Sequence, residues 1–134
     1  LFWRCLRDMF SGKAPILVSA CLLGINCRYD GKRIRRIPNK IRRLRKSGLI
    51  PVCPEQLGGL PTPRPKNYSF GKRVRNEKGE DVTKNFIKGA KEVVKIAKMF
   101  KVKVAYLKSN SPSCGKDGIT KIRLEKAGVK IILV

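Results

Sequence analysis

The sequence predicts a single α/β domain: a mainly parallel sheet of about four strands with helices on both faces, Rossmann-like in plan. Three observations carry the prediction. Short, continuous apolar runs rich in branched residues recur along the chain, as expected of strands covered on both faces. Stretches with helical periodicity lie between them. Strand and helix alternate at a spacing that suits right-handed crossovers, which place every strand's C-terminal end at one edge of the sheet. Open α/β sheets bind their ligands at that edge.

The elements follow in order. Residues 1–13 (LFWRCLRDMFSGK) read as an N-terminal extension ahead of one domain at 14–134. The segment is aromatic and basic but lacks a signal peptide's apolar core and small-residue cleavage site. Because it opens on leucine, it is expected to reflect an alternative start codon read literally or an over-extended start, and Cys5 receives no role. PILVSA (15–20) is the first buried strand. NKIRRLRKSG (39–48) reads as a basic helix with Ile41 and Leu44 on one side, Pro38 near its start and Gly48 as its stop. LIPVC (49–53) is the second strand. Residues 54–80 are rich in proline, glycine and charge and read as a long excursion, a length of loop that is uncommon unless functional. DVTKNFIKGAKEVVKIAKMF (81–100) is the clearest helix, with Asp81 or Thr83 as cap and Phe86, Ala90, Val93, Ala97 and Phe100 at intervals of three or four. KVAYLKS (103–109) is a third strand, GITKIRLEKAG (118–128) a helix ended by Gly128, and VKIILV (129–134) a fourth strand.

Composition narrows the chemistry. No apolar run approaches the roughly 18 residues that span a bilayer, so a cytoplasmic chain with no membrane partner is expected. Five cysteines then point to metal or redox use rather than a disulfide framework. The chain has no histidine, which excludes mixed Cys/His zinc sites, Ser-His and Cys-His nucleophiles and imidazole acid–base catalysis. Thirty-two Lys+Arg oppose 9 Asp+Glu, a formal charge of +23. Heat adaptation enriches lysine and glutamate together, and glutamate is scarce here, so a polyanionic partner or substrate is expected. The stripe KRIRRIPNKIRRLRK (32–46), with Arg42, Arg43 and Arg45, is the best candidate for RNA phosphate contacts, although it holds no aromatic for base stacking.

Cys21 follows the first strand, Cys53 ends the second, and Cys114 in SNSPSCG follows the third by five residues. Each lies beside glycine or proline, and the predicted sheet brings all three to one crevice. Two metals suit such thiolates. Structural zinc is tetrahedral and closed and would recruit Cys27 as a fourth ligand. An iron–sulfur cluster on three cysteines leaves one iron open. Spacing does not choose between them. Cys27 reads equally as a thiol assisting sulfur transfer or as a buried residue. In NCRYDG, Arg28 or Tyr29 faces a nucleobase or belongs to a turn around Asp30 and Gly31. LGGLPTPRP (57–65) walls a pocket or is a rigid connector.

The blocks SACLLGINCRYDG, PVCPEQLGGLPTPRP, GEDVTKNFIKGA and LKSNSPSCG together resemble the thiouracil desulfidase (TudS-type) family, from about Pro15 to Gly115. The resemblance implies a 4Fe-4S cluster on Cys21, Cys53 and Cys114 and removal of sulfur from a thiolated uracil or uridine, as free base or in tRNA, with release of sulfide. It assigns Glu55 and Ser111 as catalytic residues. An open iron is a soft acceptor for thiocarbonyl sulfur, polarising the C–S bond toward water that Glu55 activates, while Ser111 hydrogen-bonds the substrate or the leaving sulfur. After Gly115 the chain departs from the family pattern: it runs almost directly into KDGITKIRLEKAG, without the further glycine- and aromatic-containing loop. Two other readings stand beside this one. The first is a basic RNA-binding module with structural zinc or no metal; the second is a catalytically inactive relative that keeps the cluster.

Overall fold

The apolar runs form four strands of one parallel sheet: β1 (Ile16–Ser19), β2 (Leu49–Val52), β5 (Val104–Leu107) and β6 (Lys130–Leu133), in the order β2-β1-β5-β6. The computed structural model describes residues 14–134, so the N-terminal extension and Cys5 lie outside the described residues. Side chains alternate across a strand, and both faces of this sheet are covered. Leu17, Val52, Ala105 and Leu107 pack under helix α3 (Thr83–Met99) and helix α4 (Ile119–Lys126), meeting Val93, Ala97 and Leu124. Val18 meets Leu22 and Ile41 on the other face, beneath helix α1 (Asn39–Arg42). Leu17, Leu22, Phe86, Leu107 and Leu124 are at most 1% exposed, each contributing roughly 1.5–3 kcal/mol through burial.

The crossover from β1 to β2 runs over one face, and those from β2 to β5 and from β5 to β6 run over the other. The chain thus leaves the neighbouring strands β1 and β5 in opposite directions. Their C-terminal ends form the switch point at which such sheets open a crevice.

Two expectations are corrected. The basic helix at 39–48 is a single turn, Asn39–Arg42, followed by further turns. Only Ile41 is fully buried there, too little to offset helix nucleation where like charges crowd each turn. The excursion at 54–80 is structured. It holds helix α2 (Pro54–Leu57) and an antiparallel hairpin of β3 (Asn67–Phe70) and β4 (Arg73–Asn76). Gly71, at φ 60°, opens the two-residue Gly71–Lys72 turn. Only Asn67 and Val74 of the two strands are buried, so the hairpin has almost no apolar alternation to reveal it. At the start of α3, Asp81 accepts the Thr83 N–H at 2.9 Å, while the Thr83 hydroxyl accepts the Val74 N–H at 2.9 Å.

Helices α2 and α3 touch backbone to backbone. A Cβ added to Gly89 of α3 would lie 1.9 Å from the Pro54 carbonyl oxygen, next to Cys53. Gly89→Ala should therefore force the helices apart and lower stability by about 1–3 kcal/mol. A urea midpoint unchanged from the parent would refute that account.

Candidate active site

At the switch point the strand ends of β1, β2 and β5 enclose a cleft of about 630 Å³ that Cys21, Cys27, Cys53 and Cys114 all line. Each thiol is placed by a local device. Beyond Ser19 the chain turns through a 3-10 helix (Ala20–Leu23) that buries Leu22 and ends at Gly24, whose φ of 87° is left-handed, leaving Cys21 half-buried. Cys53 closes β2, and Pro54 at the first position of α2 turns the chain sharply after it. Cys114 sits in a tight loop organised by Ser111. The Ser111 Oγ accepts the Ser113 and Cys114 N–H groups at 3.3 and 3.2 Å, and the Gly115 N–H reaches the Ser111 carbonyl at 2.8 Å. A Cβ on Gly115 would meet the Ser109 and Ser111 carbonyl oxygens at 2.4 and 2.5 Å. Ser113 Oγ donates to Cys114 Sγ at 3.6 Å.

The four thiols differ electrostatically. Cys27, 2% exposed, shares hydrogen bonds with Cys21 and with Cys53. The neighbouring Cys27 thiol holds Cys21 and Cys53 below the usual thiol value and is itself pushed far above it, so Cys27 keeps its proton; when protonated, Cys53 Sγ donates to the Cys27 carbonyl at 3.7 Å. Lys108 and Arg28 add to the lowering of Cys21. Burial raises Cys114 to about 11, against smaller opposing hydrogen bonds from Ser19 and Ser113. Among the described residues no three thiols or carboxylates close on one point as a single metal ion requires.

Glu55 is also in the cleft, and it is buried. Its Oε1 accepts the Asn67 amide at 2.8 Å and Arg64 Nε at 3.3 Å. Arg64, equally buried, donates further to the Cys27 carbonyl at 3.0 Å, the Pro61 carbonyl at 3.2 Å and Thr62 Oγ1 at 3.1 Å.

The structure thus brings Cys21, Cys27, Cys53, Cys114, Glu55 and Ser111 to one cleft, with Arg28 and Tyr29 beside them. Arg42, Arg43 and Arg45 do not line it; they are exposed around α1. Sequence reasoning passed over Arg64, Asn67, Ser19, Lys108 and Ser113. The one signal for Arg64 was a lone arginine inside the proline-rich segment LGGLPTPRP, nine residues after Glu55.

A parallel α/β domain without histidine that gathers its cysteines at the switch point is a thiolate-centred member of the α/β class. The pattern of the 2-thiouracil desulfurase family matches residues 16–130, and the chain belongs to that family. The uncharacterized protein YbbK of Bacillus subtilis (strain 168) is 34% identical over 143 aligned residues, which cover 87% of this chain and 93% of that protein. A solved structure of the 4Fe-4S-dependent thiouracil desulfidase TudS is similar, with a TM-score of 0.84 and 35% identity over 90% of this chain and 91% of that one. No helix among the described residues is long and apolar enough to cross a membrane.

Two outcomes are expected. Arg64→Met leaves the Glu55 carboxylate buried without its cation and should cost about 3–5 kcal/mol; a urea midpoint within error of the parent would contradict the pairing. In metal-free protein, a thiol held below its usual value carries more thiolate at neutral pH, and one held above carries less. Timed alkylation at pH 7 with peptide mass spectrometry should therefore label Cys21 and Cys53 well before Cys27 and Cys114. Equal rates for all four would overturn this ordering.

Proposed function

We propose that the protein is an iron–sulfur-dependent desulfidase of the cytoplasm, replacing the thiocarbonyl sulfur of a thiolated uracil with oxygen from water. The balance is thiocarbonyl plus water to carbonyl plus hydrogen sulfide. The base is free or carried in RNA; in the second case Arg42, Arg43 and Arg45 supply phosphate contacts. One observation carries the reading: thiols from three separate strand ends meet in one cleft beside a buried, positioned carboxylate. The donor set suits a 4Fe-4S cluster on Cys21, Cys53 and Cys114. It is all sulfur, and all three thiols line the one cleft, as ligands of an iron–sulfur cluster do.

Bound there, such a cluster supplies a soft Lewis acid toward thiocarbonyl sulfur. The protein's own groups do the rest. Asn67 and Arg64 both bond Oε1 of Glu55, which orients the carboxylate and leaves Oε2 to take a proton from the attacking water. Ser111 Oγ already accepts two backbone N–H groups, so its remaining capacity is as a donor, to the Ser113 hydroxyl or to substrate.

Anaerobic reconstitution with iron and sulfide, followed by assay on 2-thiouracil, 4-thiouridine and thiolated tRNA, tests the reading. Brown protein with about four irons per chain and release of sulfide is expected. Cys21→Ser, Cys53→Ser and Cys114→Ser should each abolish the absorbance, whereas Cys27→Ser should keep its iron. Glu55→Gln should lower turnover by about 100-fold at unchanged iron content. Ser111→Ala should cost about tenfold. Stoichiometric zinc without iron uptake, or parent rates in Glu55→Gln, would sink the mechanism.

A further inference from the structure

The β3–β4 hairpin carries aromatic side chains that the core does not use. Residues two apart in a strand share a face, and the register pairs Tyr68 with Arg75 and Phe70 with Arg73. These four residues therefore occupy one face of the ribbon. The other face turns inward: Val74 packs with Phe86, Asn67 bonds Glu55, and the Ser69 hydroxyl donates to the Pro112 carbonyl. Tyr68 is 44% exposed and Phe70 63%, the highest value for a large hydrophobic side chain among the described residues. The face continues into the active-site cleft, which Tyr29, Lys66 and Tyr68 all line. The Lys66 ammonium stands 5.9 Å from the Tyr29 ring centre and 5.6 Å from that of Tyr68.

Aromatic rings interleaved with guanidinium groups on the surface of a chain of formal charge +23 are the chemistry that single-stranded nucleic acid binds: bases stack on the rings and phosphates meet the cations. Tyr68 and Phe70 stand roughly 7 Å apart along the strand, so successive unstacked bases can each take one ring. Arg73 is paired with Asp81, whereas Arg75 has no carboxylate partner among the described residues. The arginines interrupt the apolar surface that a bilayer interface requires, and a formal charge of +23 opposes the approach of a second copy. We infer that the Tyr68–Phe70–Arg73–Arg75 face is a docking strip for single-stranded nucleic acid, placed to hold the nucleotides that flank a base received in the cleft. The flanking role rests on the proposed function; the binding does not.

Fluorescence anisotropy with a short fluorescein-labelled oligouridylate, on the full chain with and without reconstitution by iron and sulfide, tests the strip. Phe70→Ala, at a site exposed enough to leave the fold intact, should weaken binding about tenfold or more at every salt concentration, since stacking is not a counterion effect. Arg75→Gln should instead flatten the slope of log K against log salt by about 0.7, the share of one phosphate contact on a single strand. The parent should bind the single strand more tightly than a duplex of the same length. Unchanged affinity in Phe70→Ala, or equal affinity for duplex, overturns the strip. So does Phe70-dependent binding to phosphatidylserine vesicles without binding to oligouridylate, which would make the hairpin a membrane contact. Loss of free-base turnover in the parent with oligouridylate binding intact overturns the flanking role and the proposed activity while leaving the docking strip in place.

Discussion

A guanidinium whose side chain is only 3% exposed has no water to fall back on, so its donors must find protein acceptors. Arg64 makes four side-chain hydrogen bonds, to Glu55, the Cys27 carbonyl, the Pro61 carbonyl and Thr62. Its own N–H adds a bond to the Tyr29 carbonyl at 2.8 Å. These acceptors come from three segments with little regular structure: the loop after β1, the turn of α2 and the proline-rich stretch beyond it. One buried cation thus sets where the Cys27 loop, the Glu55 carboxylate and one cleft wall stand relative to each other. Its desolvation is tolerable because Glu55 is equally buried and faces it.

The parallel sheet supplies the other half of the geometry. Its strands are short and apolar on both faces, so they have one stable place, the middle layer of the domain. Their ends are where buried backbone gives way to loops, and the thiols of Cys21, Cys53 and Cys114 stand at those ends. Two close backbone approaches keep the loops tight: Gly89 against Pro54, and Gly115 against the Ser109 and Ser111 carbonyls. Such rigid supports fix the positions of the thiols with little freedom left to the loops that carry them.

Charge and polarity are divided within the cleft. The buried Cys27 thiol lies between Cys21 and Cys53 and favours the charged form of both, while staying protonated itself. Lys108 and Arg28 add positive potential near Cys21. The carboxylate lies on the opposite arrangement, gripped by an amide and a guanidinium on one oxygen. The thiols and the carboxylate thus have separate sets of polar partners within one cavity, although Cys53 and Glu55 come from the same junction.

The sequence by itself determined the four sheet strands, helix α3, helix α4 and the presence of three cysteines at strand ends. These are legible because a short run buried on both faces, or a long amphipathic period, leaves no competing structure of similar stability. Histidine's absence likewise restricts the chemistry from the sequence alone. Tertiary structure alone decided the rest. The basic stretch after Pro38 stops being helix after one turn because only Ile41 is buried and its neighbours repel. The hairpin exists although only Asn67 and Val74 of its strands are buried, since its partners are Phe86 in α3 and Glu55 in α2. The placing of Cys27 beside Cys21 and Cys53, and of Arg64 against Glu55 and Cys27, joins residues far apart in the chain. Such contacts arise only when the loops at one sheet edge converge, and no local period or spacing in the sequence records them.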